Sequence, residues 1–310
     1  MQEILTSILL HTKDDLFYQT FFQQIQQAKQ FCLWLEHYVK EKTNKLHIPY
    51  DITILHALCN NVLRGIDNHS QVLVAIKRIE FKTGKWNIPL SAIYELETYC
   101  QIDPLQSPHL PRLIHLQMQQ DYVDIVSELI PYSFSTIMTQ CMPYEFLSQK
   151  MMELIHVVQL LHKLHISHRD IKADNICFNN KGQLVLLDLD CAVVGSVRKT
   201  LPMCTLSSRA PELFYSCTES YNPFAADIWS MACVICQMFL GTPLFCSSNE
   251  TELGDAIVSF RDQLSSEMGH KVLKRKMPTS IYQLIRGIFL ESNPMDRFFH
   301  VVAYVDSNTC

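Results

Sequence analysis

Glycine is scarce in this chain. Only 8 of its 310 residues are glycine, and none precedes Gly65. That excludes a glycine-rich loop from the N-terminal part, where the backbone would lie against phosphate with no Cβ in the way. Charge is also sparse, at 18% of residues with a formal net charge of −5. No block of like charges is present to recruit nucleic acid or an anionic membrane, so neither is expected as a partner. No apolar run is seen to reach the roughly 18 residues of a membrane span. The opening residues, Met1-Gln2-Glu3, lack the basic start of a secretory signal. The 12 cysteines therefore read as reduced thiols of an intracellular protein, most of them small buried apolar residues.

What is present suits a globular fold. Hydrophobic residues make up 48%, enough for a core, and the length allows one large domain or two lobes. Phe17, Phe21, Ile25, Ala28, Cys32, Leu35 and Val39 recur on one face of a helix. Asp14 and Asp15 stand at its start and Lys40 and Lys42 at its end, as the helix dipole prefers. Such a helix either packs on the rest of the chain or presents its face to a partner. From Ile54 to Glu80 the pattern turns strand-like, with Val72 to Ile76 ending at Lys77. A second short apolar run spans Tyr122 to Val126. Glu145 to His165 reads as a core-facing helix through Leu147, Met151, Leu154, Ile155, Val158, Leu161 and Leu164. Its histidines read as packing residues, since no acid or cysteine completes a metal-ligand set.

The stretch that carries chemistry is His168-Arg169-Asp170-Ile171-Lys172-Ala173-Asp174-Asn175, followed by an apolar run, Leu184 to Leu187, ending in Asp188. A carboxylate to orient a hydroxyl, an ammonium to neutralise phosphate, and an amide with a second carboxylate to hold Mg²⁺ together suit phosphoryl transfer.

This stretch resembles the catalytic loop H-R-D-x-K-x-x-N of protein kinases. Val74-Ala75-Ile76-Lys77 resembles their V-A-I-K strand. Pro89-Leu90-Ser91-Ala92-Ile93-Tyr94-Glu95 resembles the PSTAIRE helix of cyclin-dependent kinases, at the family's separation from Lys77. Arg209-Ala210-Pro211-Glu212, Asp227-Ile228-Trp229-Ser230 and Asn293 to Arg297 resemble later segments of the same family. The resemblance covers about residues 50 to 300, and the compact, divergent form resembles viral or pathogen-encoded kinases.

The resemblance implies an α+β, bilobal fold: a helical extension over 1–48, a small β-rich N-lobe over 49–127, a hinge at 128–131 and a larger helical C-lobe over 132–310. It implies a Ser/Thr protein kinase that uses ATP with Mg²⁺ or Mn²⁺, with a pseudokinase as the alternative. Asp170 would be the catalytic base, Lys172 would stabilise the transferred phosphoryl group, and Thr205 would bridge them. Asn175 and Asp188 would be the metal ligands. Lys77, paired with Glu95, would grip ATP, with Leu55 and Ala75 covering the base and the backbone of Glu128 and Ile130 bonding its edge. The partners implied are a protein substrate and a regulatory protein at the Glu95 helix or the N-terminal extension. Asp227 would hold the catalytic-loop backbone, and Arg297 would pair with Glu212.

The chain also departs from the family. The three loop glycines fall on Leu55, Ala57 and Asn60, which implies weaker ATP binding or slower turnover. The Asp-Phe-Gly triplet is Asp188-Leu189-Asp190. Thr200 aligns with the activating phosphothreonine, yet two of the arginines that would gather its phosphate are Tyr94 and Val193. Only Arg169 remains, with Arg198 and Lys199 nearby, so phosphorylation of Thr200 is not the expected switch.

Overall fold

Alternating apolar residues between Ile54 and Glu80 fold as three antiparallel strands, β1 (Ile52–Cys59), β2 (Val62–Asp67) and β3 (Leu73–Glu80). With β4 (Leu113–Met118) and β5 (Tyr122–Glu128) they form a sheet of order β1-β2-β3-β5-β4. The computed structural model describes residues 51–59, 61–80, 90–118, 122–138, 142–195, 205–215, 221–266 and 268–308. The expected 1–48 extension, Asn60, Pro89, Arg198, Lys199 and Thr200 lie outside them. The chain divides into two compact units. The first takes the described residues up to Ile93 with His115–Val126, and the second those of Tyr94–Ile114 with Ser127–Cys310.

In the first unit, side chains such as Val74 and Ile76 of β3 and Val123, Ile125 and Val126 of β5 are buried, as period-two alternation on a packed face requires. Gly65 is needed for space, because a Cβ there would come within 2.7 Å of Ile52 Cγ2 and 2.9 Å of Ile76 Cδ1. Strand β1 is irregular, with register shifts between Ile54 and His56 and between Ala57 and Cys59. Arg78 binds Asp124 through Nε and Nη2, both at 2.8 Å, and its guanidinium lies 4.0 Å from the centre of the Tyr122 ring.

In the second unit, α1 (Leu90–Ile102) carries Glu95, its residues from Tyr94 onward belonging to this unit. The helical reading of Glu145 to His165 appears as α3 (Tyr144–Lys163), after the short α2 (Phe134–Met138). The buried face of α3 includes Leu147, Met151, Leu154, Ile155, Val158 and Leu161. Lys150 on the same helix is also buried, its charge met by Glu153 at 2.7 Å, and Glu153 in turn accepts the Leu184 amide at 2.8 Å. The small strands β6 (Tyr132–Ser133), β8 (Ile176–Phe178) and β9 (Leu184–Leu186) form one sheet, and β7 (Ile166–Ser167) pairs with β10 (Val193–Val194). Helix α4 (Glu212–Tyr215) precedes the central helix, α5 (Pro223–Leu240). Asn222 caps α5 by accepting the Ala225 amide, and Gly241 ends it at φ 79°.

Around α5 stand α6 (Glu250–Ser265), α7 (Lys271–Lys276), α8 (Thr279–Leu290) and α9 (Arg297–Asn308). Trp229 of α5 meets Phe289 of α8 edge-on at 4.6 Å, and Phe245 and Phe260 complete the aromatic cluster. By length and mean hydropathy (1.5 over 18 residues) α5 could cross a membrane, which corrects the sequence reading that no run is long enough. Within the fold 83% of that window is buried, as in the core helix of a globular protein. Cys233 and Cys236 of α5 stand at C-x-x-C spacing and are both buried. Burial pushes Cys236 far above the ordinary thiol range, so the pair has a packing role.

Candidate active site

The site begins with α5. Asp227 and Ser230 stand three apart, on one face of that helix. Asp227 accepts the amides of His168 and Arg169 through separate oxygens, each at 2.8 Å, and His162 Nε2 lies 3.0 Å from its Oδ2. Ser230 Oγ donates to the carbonyl of Ser208 at 2.8 Å. One helix therefore fixes both the catalytic loop and the segment leading to Glu212. Arg169 adopts φ 68°, a left-handed conformation that costs a side-chain-bearing residue about 1–2 kcal/mol. The Asp227 contacts hold that strain in place.

His168 is wholly buried, and its Nδ1 accepts the Asp170 amide at 3.3 Å, which assigns the ring proton to Nε2. Nε2 then donates to the carbonyl of Leu187 at 3.0 Å. The ring thus ties the loop to the residue before Asp188.

Asp170 sits at the centre of a compact polar cluster. Its Oδ2 lies 2.7 Å from Lys172 Nζ, and its Oδ1 accepts from Thr205 Oγ1 at 2.8 Å and from the Thr205 amide at 3.2 Å. Lys172 also donates to Thr205 Oγ1 at 3.2 Å. Asn175 Nδ2 donates to the Asp170 carbonyl at 2.9 Å and to Oδ2 at 3.2 Å. Burial alone would raise the Asp170 carboxyl, but the Lys172 and Thr205 hydrogen bonds and the Lys172 charge outweigh it and hold it below the usual range. Burial likewise opposes the Lys172 charge, yet Asp170, then Asp188 and Asp174, hold its ammonium above the usual lysine value.

Asp188 is half-buried and adopts φ 62°, while the following Leu189 is fully buried. Asp190, in the position of the family's glycine, has no positive φ, so no left-handed strain falls on its side chain. The neighbouring Cys191 thiol is pushed up to about 11 by burial and by the carboxylates of Asp170 and Asp188. It stays protonated at neutral pH and is a poor nucleophile.

The remaining expected residues are placed as follows. Lys77 and Ala75 lie on β3 of the first unit, both half-buried, and Leu55 lies on β1 at an exposed position. In the second unit Glu95 is buried on α1 at 2% exposure. There too Glu128 ends β5 and is exposed, its amide donating to the Arg112 carbonyl at 3.2 Å, and Ile130 follows half-buried.

Two residues of this region are absent from the sequence reading. Tyr99, one turn after Glu95 on α1, is buried, shares a hydrogen bond with Ser127 and feels the charges of Glu95 and Asp188. Its i, i+4 spacing from Glu95 was a usable signal. Tyr221 accepts from Arg169 Nε at 3.1 Å, and no local pattern marks it. Further on, Arg297 reaches the two Glu212 oxygens at 2.6 and 3.0 Å and the Ala225 carbonyl at 3.1 Å.

Comparison with known proteins gives a consistent result. A family model described as the protein kinase domain matches residues 59–302. The serine/threonine-protein kinase ppk23 of Schizosaccharomyces pombe is 30% identical over 200 residues, 62% of this chain and 49% of its own length. Cyclin-dependent kinase 4 of Xenopus laevis is 27% identical over 202 residues, 62% of both chains. The chain thus spans about half the length of the first relative and under two thirds of the second. Among solved structures, a chain of the yeast RNA Pol II CTD kinase CTDK-1 complex superposes with a TM-score of 0.68 at 20% identity, covering 82% of this chain and 90% of that one. At that identity the likeness concerns the fold alone.

Proposed function

We propose, from the premise that this chain belongs to the protein kinase family, that it is a serine/threonine kinase transferring the γ-phosphoryl group of ATP to protein hydroxyls. The observation that carries this reading is the cluster at Asp170: a carboxylate kept ionised by Lys172 and Thr205, with Asn175 beside it. Asp170 orients the substrate hydroxyl and takes its proton. Lys172 has its ammonium fixed between Asp170 and Thr205, where it neutralises charge on the transferred group. A lysine two residues after the aspartate is what the resemblance assigns to Ser/Thr rather than Tyr kinases.

A divalent cation fits the donor set. The Asn175 amide nitrogen is engaged by Asp170, which leaves its oxygen, with the Asp188 carboxylate, as hard ligands suited to Mg²⁺, or Mn²⁺. Among the described residues no three His, Cys, Asp or Glu side chains form a metal cage of their own. When bound, the cation screens the phosphates. As the resemblance implies, Lys77 would grip the α- and β-phosphates and pair with Glu95. Leu55 and Ala75 cover adenine, and the backbone of Glu128 and Ile130 bonds its edge. The boundaries read from the sequence, 49–127, 128–131 and 132–310, belong to this proposal, as does an intracellular setting. A regulatory protein engages the Glu95 helix or the 1–48 extension.

The test is phosphate transfer from ATP with Mg²⁺ or Mn²⁺ to a mixed protein substrate, comparing wild type with Asp170→Asn and Lys77→Met. Activity in wild type that both substitutions abolish is the expected result. Transfer persisting in both points to a contaminant. A wild type that binds no nucleotide at about millimolar levels, weaker than ordinary KM values, makes the chain a pseudokinase.

A further inference from the structure

The catalytic loop holds its left-handed residue, Arg169, from two directions, and both restraints come from the start of α5. The backbone amide is held by Asp227 at 2.8 Å. The side chain is held by the Tyr221 hydroxyl, which accepts from Nε at 3.1 Å, and Arg169 is left only 6% exposed. Tyr221 directly precedes the α5 cap, Asn222, whose Oδ1 accepts the Ala225 amide at 2.9 Å. Its backbone is therefore joined directly to the capped helix start. Because the residue after this clamp is Asp170, any relaxation of Arg169 moves the carboxylate that the Lys172–Thr205 cluster holds.

We infer that Tyr221 is a positioning residue for Asp170, acting through Arg169, and that this phenol clamp organises the catalytic loop without a phosphate on the segment around Thr200. Three observations support it beyond the contact itself. Arg169 has a left-handed backbone, which persists only where surrounding groups over-determine it. Its guanidinium is buried, so a phosphate arriving on the loop would have to displace a hydrogen bond already made. The positions where the sequence would need further arginines to gather a phosphate hold Tyr94 and Val193. The inference rests on the kinase reading for its effect on turnover, but its structural half stands apart from activity.

Tyr221→Phe removes the hydroxyl and keeps the ring, and Thr200→Ala removes the hydroxyl that aligns with the family's activating phosphothreonine. In Tyr221→Phe, amide hydrogen exchange at Arg169 and Asp170 is expected to accelerate about tenfold, the loss of one hydrogen bond to a charged group. The kcat is expected to fall by a similar factor, with KM for ATP changed less than about twofold. Thr200→Ala is expected to keep kcat within about twofold of wild type, the range of an uncoupled surface change. In an Arg169→Met background Tyr221→Phe should add nothing, because the donor is already gone. Unchanged exchange in Tyr221→Phe overturns the inference, as does a tenfold loss in Thr200→Ala. If wild type transfers no phosphate, the kinase reading fails, and exchange at Arg169 and Asp170 still decides whether Tyr221 clamps the loop. Should Tyr221→Phe fail to fold, faster exchange at Asp170 in Arg169→Met is the expected result, and unchanged exchange there overturns the clamp.

Discussion

At the scale of single residues, the Asp170–Lys172 pair sets how the site responds to pH. Asp170 lies below its ordinary 3.8, so the stability it adds is present above that value and lost only as pH falls through its lower folded value. Lys172 lies above 10.5, so its contribution is complete below 10.5 and lost only as pH rises through the higher folded value. Between about pH 5 and 9.5 neither group titrates, and no inflection in kcat/KM over that range should belong to them. With Lys172→Met the burial of Asp170 is unopposed by charge, and the acid limb should move upward. A wild-type limb near neutrality that the substitution leaves in place would contradict the assignment. Thiol chemistry is predicted at the same scale. Among the described cysteines Cys246 is exposed, whereas burial raises Cys177 and Cys191 to about 11. Iodoacetamide at neutral pH should label Cys246 well before either, read by peptide mass spectrometry. Prior labelling at Cys191 would mean that its surroundings are more open than the burial implies. The sequence names Asp170 and Lys172 because their spacing is local. It is silent on the His168 tautomer and on Tyr221, because each depends on a partner distant in the chain.

At the scale of elements, the glycine-poor strand β1 is where the chain departs most from its family. The strand forms all the same and pairs with β2 up to Cys59 opposite Val62, because strand pairing needs no glycine. Its bulges leave Ile54, Leu55 and Leu58 about half exposed. What it lacks is backbone free of Cβ atoms that could close on phosphate. Ala57→Gly combined with Asn60→Gly should therefore lower KM for ATP several-fold and change kcat little, as expected when uniform binding is gained. An unchanged KM would place the weak point elsewhere. The strand pattern and the helix α3 were readable from periodicity. The buried Lys150 on α3 was not, because only the folded chain brings Glu153 and the Leu184 amide to the same place.

At the scale of the whole molecule, Arg297 shows how a distant pair secures the fold. Its guanidinium binds both Glu212 oxygens and lies 5.0 Å from the Trp229 ring, with 1% exposure. Glu212→Gln leaves that charge buried without its carboxylate and should cost about 3–5 kcal/mol, seen as a lower urea midpoint at unchanged slope. The paired change Glu212→Leu with Arg297→Met should recover most of the loss. A shift under about 1 kcal/mol for Glu212→Gln, the range of an exposed pair, would show that water reaches the site.

The sequence by itself determined the family, the fold class and the residues that carry charge in the catalytic loop, because these depend on residue type and on short spacings that local backbone geometry preserves. Only the tertiary structure decided how that loop is held: by Asp227 on its backbone, by Tyr221 on Arg169, and by His168 against Leu187. The physical reason is directional. A hydrogen bond needs both groups within about 3 Å and aligned, and no spacing along the chain specifies that for residues 19 to 59 positions apart.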